Sequence, residues 1–362
     1  TLDALGTTDM DYALTVNASN VGNLSITSLA TKNQAITLDA SQVVGTVGVT
    51  GVINAGAGDV NVNVNGTSGA VTLGGAITGK NVTIDATNAL GGVTYTGAIN
   101  VGNAFTLNGA NLQDNDLSTG KVIATGTSLT ATLNGGLGDD KVTIDAAAGG
   151  TKITVAGDLG LEATAGTGNN LTVNGGAGND EINVSSVVVS SLDAARGVTI
   201  VGAAGDDKIT VTAGTNTITG GKGQDTITLG TGDDTVVIAS GDAGKTAATI
   251  DIISGFLATG ADKLKLGTAG STTNYAEVDL GAAAASTVAD ALVAADAAMD
   301  GTVRFVLVEN QSANGAAADG STLDFQNDSI LFIDFNLDGT ADAAVGLVGK
   351  VAANIAFGDI IA

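Results

Sequence analysis

A nine-residue unit, G-G-x-G-x-D-x-U-x with U a large apolar residue, is spelled three times in this chain, from Gly135 (GGLGDDKVT), Gly175 (GGAGNDEIN) and Gly220 (GGKGQDTIT). With 54 glycines among 362 residues, chance would produce its G-G-x-G-x-D core only ~0.1 times, so the repetition is a structural rule of the chain. Looser copies start at Gly202 (GAAGDDKIT), Val211 (VTAGTNTIT) and Leu229 (LGTGDDTVV), which makes 202–237 four uninterrupted units. Gly175 lies three periods upstream of Gly202, and Gly135 falls out of phase, as it would after an insertion. Each unit has room for one glycine turn and one short strand with an inward apolar residue, and none for a crossover helix.

The residue types also fix a chemistry. Glycine at the turn positions takes positive φ and lets backbone carbonyls converge on one point. Aspartate at the sixth position adds a hard anionic oxygen, and a shell of six to eight such oxygens suits Ca2+. On these nonapeptides the chain resembles the RTX family. The resemblance implies a parallel β-roll with two units per coil, in which an ion lies between aspartates one coil, eighteen residues, apart. It places Asp207 on Asp225 along one edge and Asn216 on Asp234 along the other, the second pair making a weaker site because Asn is neutral. The turn carbonyls of Gly220, Lys222 and Gln224 join the implied ligand set. Asp140 and Asp180 hold the same motif position, but the residue eighteen beyond Asp180 is Val198, so that site is incomplete or closed differently. Gly-Asp turns without an ion are the competing reading, above all for Asp140 and Asp180.

A formal net charge of -24 with only 13 Lys and Arg argues against nucleic acid, which requires clustered cationic side chains. Calcium is the natural counter-charge, and without it stacked aspartates repel, so ion binding and folding should be coupled. Extracellular calcium modules bind at roughly 0.1–1 mM, a range useful outside a cell and useless in a calcium-poor cytoplasm. The chain has no cysteine and no histidine, which removes disulfides, thiolate sites, Ser-His-Asp triads and His-ligated zinc. Proline and tryptophan are absent and aromatics make up 3%, too few for platforms that stack sugars or bases. No run of about eighteen apolar residues occurs, the first residues do not read as a charged-apolar signal peptide, and a start at Thr1 without Met is what a fragment of a longer protein would show.

Residues 1–130 are short alternating runs of Thr, Asn, Val, Ala and Gly, such as AITLDA from Ala35, VNVNVNG from Val60 and VTIDA from Val82. Period-two alternation broken by Gly and Asn predicts strands. Several strand starts, such as those at Val82, Val93 and Phe105, fall ten to twelve residues apart, which suits a parallel β-solenoid, with stacked small β-sandwich units as the alternative. Residues 131–246 carry the repeats, and 247–362 form a C-terminal region. There, ATIDIISGFLATGADKLKL from Ala248 reads as a strand-turn-strand cap whose Phe256 and Leu257 cover the apolar end, or as an ordinary hairpin. Residues 282–299 predict a helix, and strands follow from Val303, Ser329 and Ala343. Between the last two, DFNLDGTAD sets Asp334, Asn336, Asp338 and Asp342 at EF-hand-like spacing, with Val345 where that motif wants Glu. The loop reads as a calcium-binding strand-loop-strand or as a polar hairpin turn. The expected fold is all-β, a parallel β-solenoid and calcium β-roll with a small α+β C-terminal cap.

No catalytic constellation accompanies these features, so an enzyme is not expected. Low-complexity Thr/Asn/Ala/Gly strands around calcium repeats are similar to RTX-type surface-layer proteins. That resemblance implies an extracellular, bacterial cell-surface protein that assembles with itself into a calcium-dependent two-dimensional lattice. The terminal FGDIIA resembles the uncleaved C-terminal signal read by the type I secretion apparatus. A cell-surface polysaccharide would be a partner only through a region upstream of Thr1. The alternatives are an export and folding module, or an adhesin scaffold, of a larger secreted protein.

Overall fold

The computed structural model describes residues 10–109, 115–134, 141–147, 151–161, 170–190, 198–256, 262–280, 287–309, 323, 328–349 and 355–362. They divide into two compact units, Thr1–Gly176 with Asn183–Thr199, and Ala177–Ile182 with Ile200–Ala362.

Among its described residues the strands of the first unit stack in parallel, and three strands make a coil. Ile36–Gln42, Val47–Val49 and Ile53–Asn54 form one such coil, and each stacks on its counterpart in the next, Ile36 on Val60, Val47 on Val71 and Ile53 on Ile77. Side chains of neighbouring coils meet at sequence separations of 22 to 26 residues. The solenoid is therefore the arrangement adopted, and the ten-to-twelve-residue rhythm is half a coil, the third strand being too short to register as a period. Alternation puts every second residue inside, and the inside residues line up in columns. Val16, Leu38, Val62, Ile84, Leu107 and Leu133 form one column. In a second column the bulky Phe105 lies in register with Ala131, a large-small exchange that keeps the thin core filled.

The outer columns are equally regular. Thr15, Thr37, Asn61, Thr83, Thr106 and Thr132 share one, and Asn17, Asp39, Asn63, Asp85, Asn108 and Asn134 share its neighbour. Asn63 Nδ2 donates to Asp39 Oδ1 at 3.2 Å, and Asn134 Nδ2 to Asn108 Oδ1 at 2.9 Å. Elsewhere on the unit, Asn81 Nδ2 donates to Asp59 Oδ1 at 2.9 Å and Asn103 Nδ2 to Asn81 Oδ1 at 3.1 Å. In the Asn17 column Asn63 separates Asp39 from Asp85.

In the second unit the coil shortens. Lys208–Val211 pairs with Thr226–Thr228 and Asn216–Lys222 with Thr235–Val237, all parallel. The segment expected to cap this stack extends it instead. Asp251–Ser254 pairs with Thr226–Thr228, and Lys263–Lys265 with Thr235–Val237, so the two strands are further rungs and not a hairpin. Phe256 is fully buried beside them, while Leu257 lies outside the described residues. Covering falls to later chain: Ala343–Val348 pairs with Asp251–Ser254, and Ile360–Ile361 with Leu264 and Lys265. Lys263 Nζ also meets Asp359 Oδ1 at 2.9 Å.

The cap contains the expected helix. It runs Val288–Ala298, starting where Thr287 accepts from Asp290 N and the Asp290 carboxylate accepts from Thr287 N, a capping box. Val288, Ala291 and Ala295 face a cluster with Val306, Val308, Ile330 and Phe332, from the strands Phe305–Glu309 and Ser329–Ile333. These two strands pair antiparallel, as do Ser329–Ile333 and Ala343–Val348.

Candidate metal centre

The local backbone follows from the glycines. Gly205, Gly214, Gly223 and Gly232, the fourth residues of four successive units, all have positive φ, from 96° to 135°. The second residue does so along one edge, Gly221 at 107° and Ala203 at 90°, whereas Thr212 and Gly230 on the other edge do not. Ala203 is strained, because its Cβ crowds the neighbouring carbonyl. With the turns fixed, the fourth-position amides of Gly205 and Gly214 donate to the third-position carbonyls one coil on, those of Lys222 at 2.8 Å and Thr231 at 2.9 Å.

The sixth-position residues then form two ladders. Along one edge Asp180 N donates to Asp207 Oδ1 at 2.8 Å, Asp207 N to Asp225 Oδ1 at 2.9 Å, and Asp225 N to Asp251 Oδ1 at 2.9 Å. Along the other, Asn216 N donates to Asp234 Oδ1 at 3.0 Å and Asp234 N to Asp262 Oδ1 at 2.8 Å. The structure thus brings together Asp180, Asp207 and Asp225, and separately Asn216 and Asp234. The partner of Asp180 is 27 residues on, one nonapeptide more than a regular coil, which is why counting eighteen led to Val198. Asp140 lies outside the described residues.

One oxygen of each aspartate is used by an amide. The other, Oδ2 of Asp207, Asp225 and Asp234, is buried with no hydrogen-bond partner. A buried anionic oxygen without a proton or cation beside it is unstable. Burial accordingly pushes the Asp207 carboxyl up to about 7, Asp225 to about 6 and Asp251 to about 8, with neighbouring carboxylates adding to each, and it raises Asp234 as well. On the Asp207 and Asp225 edge, room for a cation exists because the first residue of the unit lacks a side chain. A Cβ on Gly202 would lie 2.3 Å from Asp207 Oδ2 and 2.6 Å from the Gly220 carbonyl oxygen, and one on Gly220 would lie 2.2 Å from Asp225 Oδ2. Carboxylate and carbonyl oxygens therefore converge on a cradle that a methyl group would fill. No cluster of three metal-ligating side chains occurs among the described residues, so the carbonyls must complete any shell, and all-oxygen donors suit a hard cation such as Ca2+.

Residues 201–236 match the family model of the RTX calcium-binding nonapeptide repeat, in four copies. The chain carries RTX repeats, and they bind Ca2+. Curated proteins return no match to the chain. Proteins built on RTX repeats are typically secreted, and no helix among the described residues is long and apolar enough to cross a membrane. Of the RTX turn carbonyls, that of Gly220 faces the Asp207 cradle and that of Lys222 accepts from Gly205 N. Gln224 N donates to Asp206 Oδ1 at 2.9 Å, while its side-chain amide holds the carbonyls of Ala247 and Ile250.

Two ladder members, Asp251 and Asp262, escape a search for glycine motifs. Their signal is the retained D-x-U spacing, Asp251-Ile252-Ile253 and Asp262-Lys263-Leu264, on strands that no longer need the tight turn. The fifth position also forms a ladder, since Asp206 N donates to Asn179 Oδ1 as Gln224 N does to Asp206.

The loop 334–342 is built differently. Asp334 accepts from Leu337 N and Gly339 N, Asp338 from Thr340 N and its hydroxyl, and Asp342 from Phe335 N and Asn336 N, while Asn336 Oδ1 accepts from Asp338 N. Both oxygens of buried Asp334 are occupied by amides, so this loop shows the hydrogen bonding of a polar turn and no buried orphan oxygen.

Proposed function

We propose that this chain is a structural, non-catalytic protein that leaves a bacterial cell by type I secretion and assembles with copies of itself into a calcium-dependent surface layer. The observation that carries the reading is the regularity of the first unit, where successive coils repeat the same inner aliphatic and outer Thr/Asn columns. Such a body offers repetitive faces for contact with like faces and, among its described residues, no convergent acid, base or nucleophile. Asp180, Asp207, Asp225 and Asp234, with the carbonyls of Gly220, Lys222 and Gln224, are the proposed calcium ligands within each subunit. They would fix the second unit only once the chain meets millimolar calcium outside the cell.

A second reading, an export and folding module of a larger secreted protein, draws on the direct continuation of the repeat ladder into the C-terminal strands. Electron microscopy of chelator-treated protein, before and after millimolar calcium at matched ionic strength, separates the two. Ordered sheets formed only with calcium are expected; dispersed compact monomers would refute the lattice and favour the module.

A further inference from the structure

We propose that Asn216 is a built-in substitute for a calcium ion, so that the turn it closes folds without metal while the aspartate turns do not. The inference rests on the calcium reading of the RTX repeats. At Asn216 the side-chain nitrogen Nδ2 lies 2.7 Å from Asp234 Oδ1, 3.2 Å from the Gly214 carbonyl and 3.3 Å from the Ala213 carbonyl. All three neighbours are acceptors only, which fixes the NH2 end of the carboxamide among them. A positively polarised group thus occupies a point where a carboxylate from the next coil and the third- and fourth-position carbonyls converge. An aspartate at 216 would place a fourth oxygen there with no proton to share, and only a cation would hold the set together.

The rest of the unit agrees. The Asp207 and Asp225 units open on Gly202 and Gly220, where a Cβ would run into the carboxylate. The Asn216 unit opens on Val211, a buried β-branched residue, and Thr212. The Asn216 side chain turns toward the carbonyls of its own turn, so the space kept open at Gly202 and Gly220 is not needed there. Only one formal charge, on Asp234, remains in this pair, against two for Asp207 over Asp225. The unit that departs furthest from the RTX pattern is on this account the one that stays formed when calcium is scarce, and it holds the array in register.

The test is Asn216→Asp in the full chain, with bound calcium counted by native mass spectrometry and thermal unfolding followed in chelator and in calcium. One additional Ca2+ per chain is expected, with a lower midpoint than wild type in chelator and recovery in calcium. An unchanged calcium count together with unchanged chelator stability overturns the proposal while leaving the calcium reading intact. Wild-type protein that binds no calcium overturns both. Should Asn216→Asp not fold even in calcium, Asn216→Ala decides: equal destabilisation in chelator and in calcium supports the substitute, and a loss of bound calcium refutes it.

Discussion

Replacing Asp225 by Asn separates the two jobs of the ladder carboxylate. Asp225 is fully buried, its Oδ1 accepts from Asp207 N at 2.9 Å, and its Oδ2 has no protein partner. The carboxamide keeps the acceptor and exchanges the orphan oxygen for a donor. In chelator at pH 7.5 the wild-type protein must ionise a carboxyl that burial has moved from 3.8 to about 6, a cost of about 2–3 kcal/mol that Asn does not carry. Asp225→Asn should therefore be more stable than wild type without calcium. At 10 mM calcium, dissociation constants of roughly 0.1–1 mM contribute about 1.4–2.7 kcal/mol per site. If Asp225 serves the sites on either side of it, as the proposed stacking has it, wild type gains about 3–5 kcal/mol and the advantage of the variant disappears. Urea unfolding followed by circular dichroism, in chelator and in calcium, reads both differences. A variant less stable than wild type in chelator, or one that gains as much from calcium, would refute the reasoning.

Gly220→Ala should weaken calcium binding at least tenfold by calorimetry, and cost about 1–3 kcal/mol, because its methyl would lie 2.2 Å from Asp225 Oδ2. Ala203→Gly should stabilise the protein by about 0.5–1 kcal/mol in denaturant titrations, since relief at φ 90° exceeds the added freedom of the unfolded chain. Acid should stabilise the calcium-free protein. Burial raises Asp207, Asp225 and Asp251 from 3.8 to about 7, 6 and 8, so their stabilising contribution is complete below 3.8 and is lost as pH rises through that range. Melting in chelator at pH 5 and pH 8 checks this, with a higher midpoint expected at pH 5 and the difference reduced or reversed by calcium.

The amino-acid sequence discloses the parts of this molecule that repeat and hides those that interrupt. Asp207 over Asp225 and Asn216 over Asp234 follow from the eighteen-residue coil that the RTX resemblance implies, because glycine turns hold that length constant. Asp180 meets Asp207 across one extra nonapeptide, and no local feature of the sequence says which coil absorbs an insertion. Asp251 and Asp262 were hidden for the opposite reason: longer loops replace the glycine turns, leaving only the D-x-U spacing. The three-strand coil of the first unit was half legible, since alternation marks strands but strands as short as Ile53–Asn54 leave almost no pattern. The helix start at Thr287 could have been placed from its capping box with Asp290. The loop 334–342 shows how a ligand-like spacing of acidic residues can equally satisfy its own backbone.

The Asn17 column of the first unit gives the chain a second answer to the problem its repeats pose. Where carboxylates are stacked in register, the like charges must be either bridged or spaced. The second unit stacks aspartate on aspartate and needs a bridge brought from the medium. The first sets Asn63 between Asp39 and Asp85, so its spacer is encoded in the chain and cannot be chelated away. Calcium withdrawal should consequently divide the molecule by mechanism, leaving a durable half whose form is set at synthesis and a conditional half whose form reports the surroundings.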